Sequence, residues 1–81
     1  MDEGIYRQHK YDLIRYATIL VGPSDAEDVL STVIARVYRS GRTLSDLDAP
    51  RPYLMKAVLH ESLDRKKKKQ SQELLIVDKA I

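Results

Sequence analysis

The residues whose types and spacing could do chemistry are three clustered carboxylates, Asp25, Glu27 and Asp28. Closely spaced carboxylates can perform general acid–base catalysis when a buried pocket shifts the pKa of one of them. The surrounding sequence offers no nucleophile and no histidines at metal-binding spacing, so we expect no enzymatic activity. The chain has no cysteine, and His9 and His60 lie in different polar settings, so we expect no metal and no cofactor.

The same carboxylates have two interpretations that involve no catalysis. Acidic side chains in the first turn of a helix are stabilised by the helix dipole by about 0.3–1 kcal/mol each, and this alone explains them. They also form an acidic patch that could steer association with a basic protein surface.

A run of five basic residues at positions 65–69 is the second charged feature. Such a run attracts polyanions by releasing their condensed counterions, although it is also typical of a solvated helix end. Upstream, Tyr53 is either a half-buried aromatic that closes the core or a stacking surface. His60 lies off the predicted apolar stripe, so we expect it to be exposed, either as an ordinary surface histidine or within reach of a base edge.

Length and composition limit the classes of protein to which the chain can belong. Its 81 residues make one small domain, which disfavours a deep active-site cleft. The 14 Lys and Arg against 12 Asp and Glu give a net charge of +2, with the excess of basic residues in the second half. No apolar run approaches the roughly 20 residues that cross a bilayer, and no secretory signal precedes the first amphipathic segment, so we expect a cytoplasmic protein without membrane insertion.

Helical periodicity defines the first two elements. Apolar residues spaced three and four apart predict a first helix over residues 5–21, which Gly22 and Pro23 end. Ser24 and Glu27 have the spacing of a capping box, which predicts that the second helix begins at Asp25. The buried stripe predicted for the second helix consists of Ala26, Val29, Leu30, Val33, Ile34, Val37 and Tyr38.

Turn-forming residues interrupt the pattern over residues 40–51, where only Leu44 and Leu47 can anchor the loop. A third helix is predicted with Pro52 in its first turn, fraying within the lysines. Its predicted buried stripe consists of Leu54, Met55, Val58, Leu59 and Leu63. We therefore expect an all-α, three-helix domain over residues 1–69. Residues 70–81 are expected to form a tail, the start of a linker or a fourth helix.

Two stretches of the chain resemble region 2 of bacterial RNA polymerase sigma factors of the extracytoplasmic-function group. They read YDLIRYATILVGPSDAEDVLSTVIARVYR and, after a loop, RPYLMKAVLHESLDRKKKK. In that family, DAED opens the second conserved helix, and an aromatic–leucine pair leads into a helix that ends in a basic run. The resemblance covers about residues 5–69 and implies a specificity subunit of transcription initiation that has no chemistry of its own.

The resemblance implies a role for each surface. The exposed part of the second helix would bind the clamp helices of the largest subunit of core RNA polymerase, through Asp25, Glu27, Asp28, Ser31, Thr32, Arg36 and Arg39. Residues 43–52 would receive a base flipped from the non-template strand of the −10 promoter element. The third helix would read and melt that element through Arg51, Tyr53, Lys56, His60, Arg65, Lys66 and Lys67. An anti-sigma protein covering these surfaces is a further implied partner.

The chain departs from the family pattern at several positions. Ser31 and Thr32 replace a Gln–acid pair, which predicts fewer ion pairs with the clamp helices. His60 replaces the common Asn, which predicts a different base preference. The family also carries a second domain, region 4, for the −35 element. Because the chain has no residues for it, we expect either an excised domain or a stand-alone form.

Two other functions remain open from the sequence. The domain could be a sigma-like decoy that binds a regulator, such as an anti-sigma protein, without binding DNA. It could also be a generic basic DNA-binding protein of the helix-turn-helix type, with Gly22 and Pro23 as its turn. The three carboxylates that follow this turn would repel phosphate, which disfavours the second alternative.

Overall fold

Three α-helices and one short 3-10 helix make up the fold, in a computed structural model that describes the backbone of residues 2–80 and the side chains of residues 2–72. Helix α1 spans Asp2–Val21, α2 spans Pro23–Arg39 and α3 spans Pro50–Ala80, and the 3-10 helix spans Leu44–Asp46. The described residues contain no strand. The predicted all-α, three-helix fold is confirmed.

A single glycine joins α1 to α2. Gly22 has φ of +89°, and its amide donates to the Thr18 carbonyl at 2.8 Å, which closes the last turn of α1. The same residue is the N-cap of α2, which begins with Pro23 in its first turn. The prediction that α2 begins at Asp25 with a Ser24–Glu27 capping box is therefore wrong. Ser24 already lies within the helix, because Pro23 has the φ that a first helical position needs.

The C-terminus of α2 reverses the chain through a second glycine. Gly41 has φ of +82°, and its amide donates to the Tyr38 carbonyl while the Arg42 amide donates to the Val37 carbonyl. This pair of bonds is the Schellman motif, which satisfies carbonyls at the end of a helix. It directs residues 42–49 back across the bundle, where the side chains of Leu44 and Leu47 are buried as predicted.

The hydrophobic core lies where the three helices and the loop meet. Helix α2 contributes more buried apolar residues than any other element, because its apolar residues recur at three- and four-residue spacing. Tyr38, which was predicted in the stripe of α2, is instead 46% exposed. The buried apolar residues are Leu13, Ala17, Ala26, Val29, Leu30, Val33, Val37, Leu44, Leu47, Leu54 and Val58.

Helix α3 turns a different face inward than predicted. Leu54 and Val58 are buried as expected, but Leu63 is 43% exposed, so its place in the buried stripe is wrong. The next inward positions are occupied by Glu61 and Ser62, which continue the spacing of Leu54 and Val58 along the helix. The Ser62 hydroxyl is buried without a hydrogen-bond partner among the described residues.

The basic run does not interrupt α3. The helix was predicted to fray within the lysines, but it continues to Ala80. Lysine is a good helix former, and no glycine or proline occurs after Pro52. At 1.5 Å per residue, the 31 residues of α3 span about 46 Å, most of the 54 Å length of the molecule. Within the predicted tail of residues 70–81, the structure describes the side chains of residues 70–72 only.

Candidate nucleic-acid interface

One exposed face of α3 combines an aromatic ring, an imidazole and two ammonium groups. Tyr53, Lys56, His60 and Lys67 are all exposed. Their spacing of three, four and seven residues places them on the same side of the helix. Four of the seven residues predicted to contact DNA therefore share one face of α3.

A groove between α2 and α3 borders this face. Val33, Val37 and Ala57 form its apolar part, and its polar lining consists of Arg36, Ser40, Tyr53 and His60. The groove has a volume of about 190 Å³. The Arg42 guanidinium, from the loop, lies over the Tyr53 ring at 5.6 Å from its centroid, a distance at which a cation is attracted to the ring face. The loop and the first turns of α3 thus meet at Tyr53.

Arg65 points toward α2 rather than along the exposed face of α3. Its Nε donates to Glu61 Oε2 at 2.7 Å, its Nη1 to Asp28 Oδ2 at 2.5 Å and its Nη2 to Thr32 Oγ1 at 2.9 Å. The hydrogen bonds to Glu61 and then to Asp28 raise the pKa of Arg65 above its ordinary value. This guanidinium is held by three partners within the domain.

Glu61 lies at the centre of this charged network. Its side chain is only 8% exposed, and its second oxygen, Oε1, accepts from Arg36 Nη2 at 2.8 Å. A carboxylate buried to this degree requires compensating charge, and two guanidinium groups supply it. The network joins α2 to α3 through alternating charges in the order Arg36, Glu61, Arg65 and Asp28.

Sequence reasoning missed Glu61. The available signal was its position, since it follows Leu54 by seven residues and Val58 by three, on the inward face of the helix. A second signal was Arg65 four residues later, at ion-pair spacing.

The other two residues predicted to contact DNA lie away from the exposed face of α3. Arg51 pairs with Asp12 of α1 at 3.2 Å, which ties the start of α3 to the middle of α1. Lys66 lines a cleft beside Lys69, Asp25 and the end of α1 at Leu20 and Val21. Lys66 is therefore nearer to the acidic first turn of α2 than to Tyr53.

The residues predicted to bind core polymerase divide between two sides of α2. Asp28, Thr32 and Arg36 bond to side chains of α3, as described above. Glu27 and Ser31 face the other side and line a cleft with Tyr6 and Lys10 of α1. Asp25 lines the cleft at Lys66, and the remaining residue of the set, Arg39, is exposed at the end of α2.

Asp2, which the sequence did not single out, holds the loop in place. Its Oδ2 accepts from the Leu44 amide at 2.8 Å and from the Tyr38 hydroxyl at 2.7 Å. Its Oδ1 accepts from the Ser45 amide at 3.1 Å and the Ser45 hydroxyl at 2.8 Å. The bond from Tyr38, followed by that from the Leu44 amide, lowers the pKa of Asp2 to about 2, and the same bond raises the pKa of Tyr38.

Comparison with known proteins gives the family. The sequence model of the Sigma-70 region 2 family matches residues 5–72 of the chain. The chain belongs to this family. Sigma factor region 2 domains are non-enzymatic regulatory domains that act in transcription initiation with core RNA polymerase and promoter DNA. No curated protein and no solved structure matches the chain.

Two further findings concern the described residues. None of their helices combines the length and apolar character needed to cross a bilayer. Within the same part of the chain, no three His, Cys, Asp or Glu side chains are grouped so that they could hold a metal ion.

Proposed function

We propose that this Sigma-70 region 2 domain recognises and melts the −10 promoter element through the non-template strand, using one face of α3 and the loop before it. The observation that carries this proposal is the alignment of Tyr53, Lys56, His60 and Lys67 on one exposed face of α3. Single-stranded DNA is held by such a combination, in which ammonium groups follow the phosphates and an aromatic ring stacks on a base.

The groove beside Tyr53 is the candidate position for a flipped base. It offers an apolar part for the base and hydrogen-bonding groups from Arg36, Ser40 and His60 at its edge. Removing a base from the stack costs a few kcal/mol, and a pocket that combines stacking with polar groups recovers this energy. We assign the base contacts to Tyr53 and His60, and the phosphate contacts to Lys56 and Lys67.

The outer face of α2 is the proposed contact with the clamp helices of core polymerase. Its acidic residues would meet basic side chains of the partner. Glu27 is the best residue for a test, because Asp28 is already bonded to Arg65 and a change there would disturb the packing of α3. An anti-sigma protein that covers the faces of α2 and α3 would compete with both partners.

Arg65 has a structural role in this proposal. Its three hydrogen bonds to α2 and α3 keep it from reaching phosphate without breaking the network. Arg51 and Lys66 are assigned no base contact, since Arg51 is paired with Asp12 of α1 and Lys66 lies at the cleft beside Asp25.

The polymerase contact is tested by pull-down of core polymerase with the wild-type domain and with Glu27→Arg. The matched control is Glu3→Arg, an equal change of charge on α1, where Glu3 pairs only with Arg7 among the described residues. We expect Glu27→Arg to reduce the recovered polymerase and Glu3→Arg to leave it unchanged. Full recovery with Glu27→Arg would count against this placement of the interface.

The DNA contact is tested by fluorescence anisotropy with core polymerase present. The probes are a single-stranded non-template oligonucleotide of the −10 element and the duplex of the same sequence. We expect the single strand to bind more tightly, with an affinity that depends on its bases. Equal binding of all single strands and duplexes would indicate a generic polyanion-binding protein. Binding of a regulator without binding of any DNA would indicate a decoy.

A further inference from the structure

Asp2 connects the beginning of the chain to the loop before α3. Four groups donate to its carboxylate: the Leu44 amide, the Ser45 amide, the Ser45 hydroxyl and the Tyr38 hydroxyl. Both carboxylate oxygens are used, so one side chain fixes the position and the rotation of the 3-10 helix. A charged acceptor makes stronger hydrogen bonds than a neutral one, and carboxylate geometry restricts where the donors can lie.

The remaining contacts of the loop leave it dependent on Asp2. Leu44 and Leu47 fix its inner side by burial. Asp46 Oδ2 accepts from the Thr43 amide at 2.8 Å and the Thr43 hydroxyl at 3.0 Å, which closes the turn on itself. Among the side chains outside residues 40–49, only Asp2 makes a described hydrogen bond to a backbone amide of the loop.

The 3-10 helix that Asp2 holds is close along the chain to residues at the groove between α2 and α3. Arg42, which lies over Tyr53, precedes Leu44 by two residues, and Tyr38 leads into Ser40 on the groove lining. A displacement of the 3-10 helix would therefore change the position of Arg42 relative to Tyr53. Lys56 and Lys67 lie on α3 itself and have no such dependence.

We propose that Asp2 is a positioning residue for base selectivity, which holds the loop so that the groove beside Tyr53 accepts one base in preference to others. This inference rests on the proposed function. It assigns to the first turn of α1 a part in promoter discrimination, exerted through the loop and without contact with DNA. Loss of the carboxylate lowers the difference in affinity between bases, while binding to the phosphates of any sequence continues.

The test compares Asp2→Ala, Asp2→Asn and Asp2→Glu with the control Glu3→Gln, which removes the neighbouring carboxylate. Anisotropy with core polymerase gives the affinity for four oligonucleotides that differ only in the base proposed to flip. We expect Asp2→Ala to reduce the ratio between the best and the worst base by about five- to tenfold, less than the full effect of losing a hydrogen bond to a charged group, because the loop keeps its other contacts. Asp2→Asn should have a smaller effect, and Asp2→Glu should restore part of the ratio.

Each outcome decides between a positioning role, a merely structural role and failure of the proposed function. A positioning role predicts a smaller ratio at unchanged affinity for core polymerase. If Asp2→Ala lowers the melting temperature but keeps the ratio, Asp2 only stabilises the fold and the inference is overturned. If the wild-type protein itself shows no preference among the four bases, the proposed function fails, and this result is distinct because it requires no variant.

Discussion

Glu61 of α3 and Arg36 of α2 lie 2.8 Å apart between Oε1 and Nη2, at the centre of the contact between the two helices that carry the proposed binding surfaces. Glu61 is nearly buried and bonds to Arg65 on its other side. Because α2 faces the proposed polymerase contact and α3 the proposed DNA contact, this carboxylate holds the two surfaces in a fixed relation.

Replacing Glu61 with Gln should destabilise the domain. The variant leaves Arg36 and Arg65 without their shared countercharge. Removing one partner of a fully buried ion pair costs about 3–5 kcal/mol, and the partial exposure of both arginines reduces the expected loss to about 2 kcal/mol. Urea unfolding measures the loss. Glu3→Gln breaks an exposed pair and should cost under about 0.5 kcal/mol, so equal stability of the two variants would contradict the role given to Glu61.

Replacement of two glycines by alanine should have opposite effects. Gly22 has φ of +89° and ψ of 165°, a backbone conformation adopted essentially by glycine alone, where a Cβ atom costs about 1–3 kcal/mol, so Gly22→Ala should destabilise the junction of α1 and α2. Gly4 lies within α1, and a Cβ there meets no atom within 4 Å, so Gly4→Ala should stabilise the domain by about 0.5 kcal/mol. Thermal unfolding compares the two variants. A stabilising Gly22→Ala would show that the junction does not need a positive φ at this position.

The contribution of the Asp2 carboxylate to the free energy of unfolding should decrease at acidic pH. The folded protein holds the pKa of Asp2 at about 2, below its ordinary value of 3.8, so its contribution to stability is present above pH 3.8. That contribution is lost as the pH falls through about 2. Urea unfolding of the wild type and Asp2→Asn at a series of pH values measures it, and the difference between the two should shrink at the acidic end. A constant difference between the two proteins down to pH 2 would contradict this stabilising role of the Asp2 carboxylate.

Lys67 and Arg65 should behave differently although both belong to the basic run. Lys67→Gln should weaken binding to all single strands alike and reduce the salt dependence, with the slope of log K against log salt falling by about 0.7. Arg65→Gln should leave that slope unchanged and instead lower the free energy of unfolding, because it breaks two hydrogen bonds between α3 and α2, to Asp28 and Thr32, and one within α3, to Glu61. Affinities measured over a range of salt concentrations separate the two. A reduced slope for Arg65→Gln would place this residue on the phosphates.

The sequence predicts the helices better than their inward faces. The apolar spacing of α2 identifies its core residues directly, since nearly every inward position is aliphatic. The same reasoning fails at Leu63, because the inward face of α3 continues with Glu61 and Ser62, whose polar character hides the periodicity. The burial of Glu61 depends on Arg36, 25 positions away in the chain, and only the packed structure brings the two together.

The candidate site, too, could be predicted from the sequence only where a single helix carries its residues. Tyr53, Lys56, His60 and Lys67 could be placed together from sequence, since one helix carries all four residues. The hydrogen bond from the Leu44 amide to Asp2 joins residues 42 positions apart, and no local pattern predicts such a contact. Arg65 was predicted among the DNA contacts because charge alone does not distinguish a solvated cation from one that is bonded within the domain.

The most direct test of the central claim measures base preference on single-stranded DNA. The wild type, Tyr53→Ala and His60→Asn are each combined with core polymerase, and anisotropy gives their affinities for non-template oligonucleotides with each of the four bases at the proposed flipped position. We predict that the wild type prefers one base, that Tyr53→Ala loses this preference and that His60→Asn changes which base is preferred. Identical rankings of the four bases for all three proteins would contradict the assignment of base recognition to this face of α3.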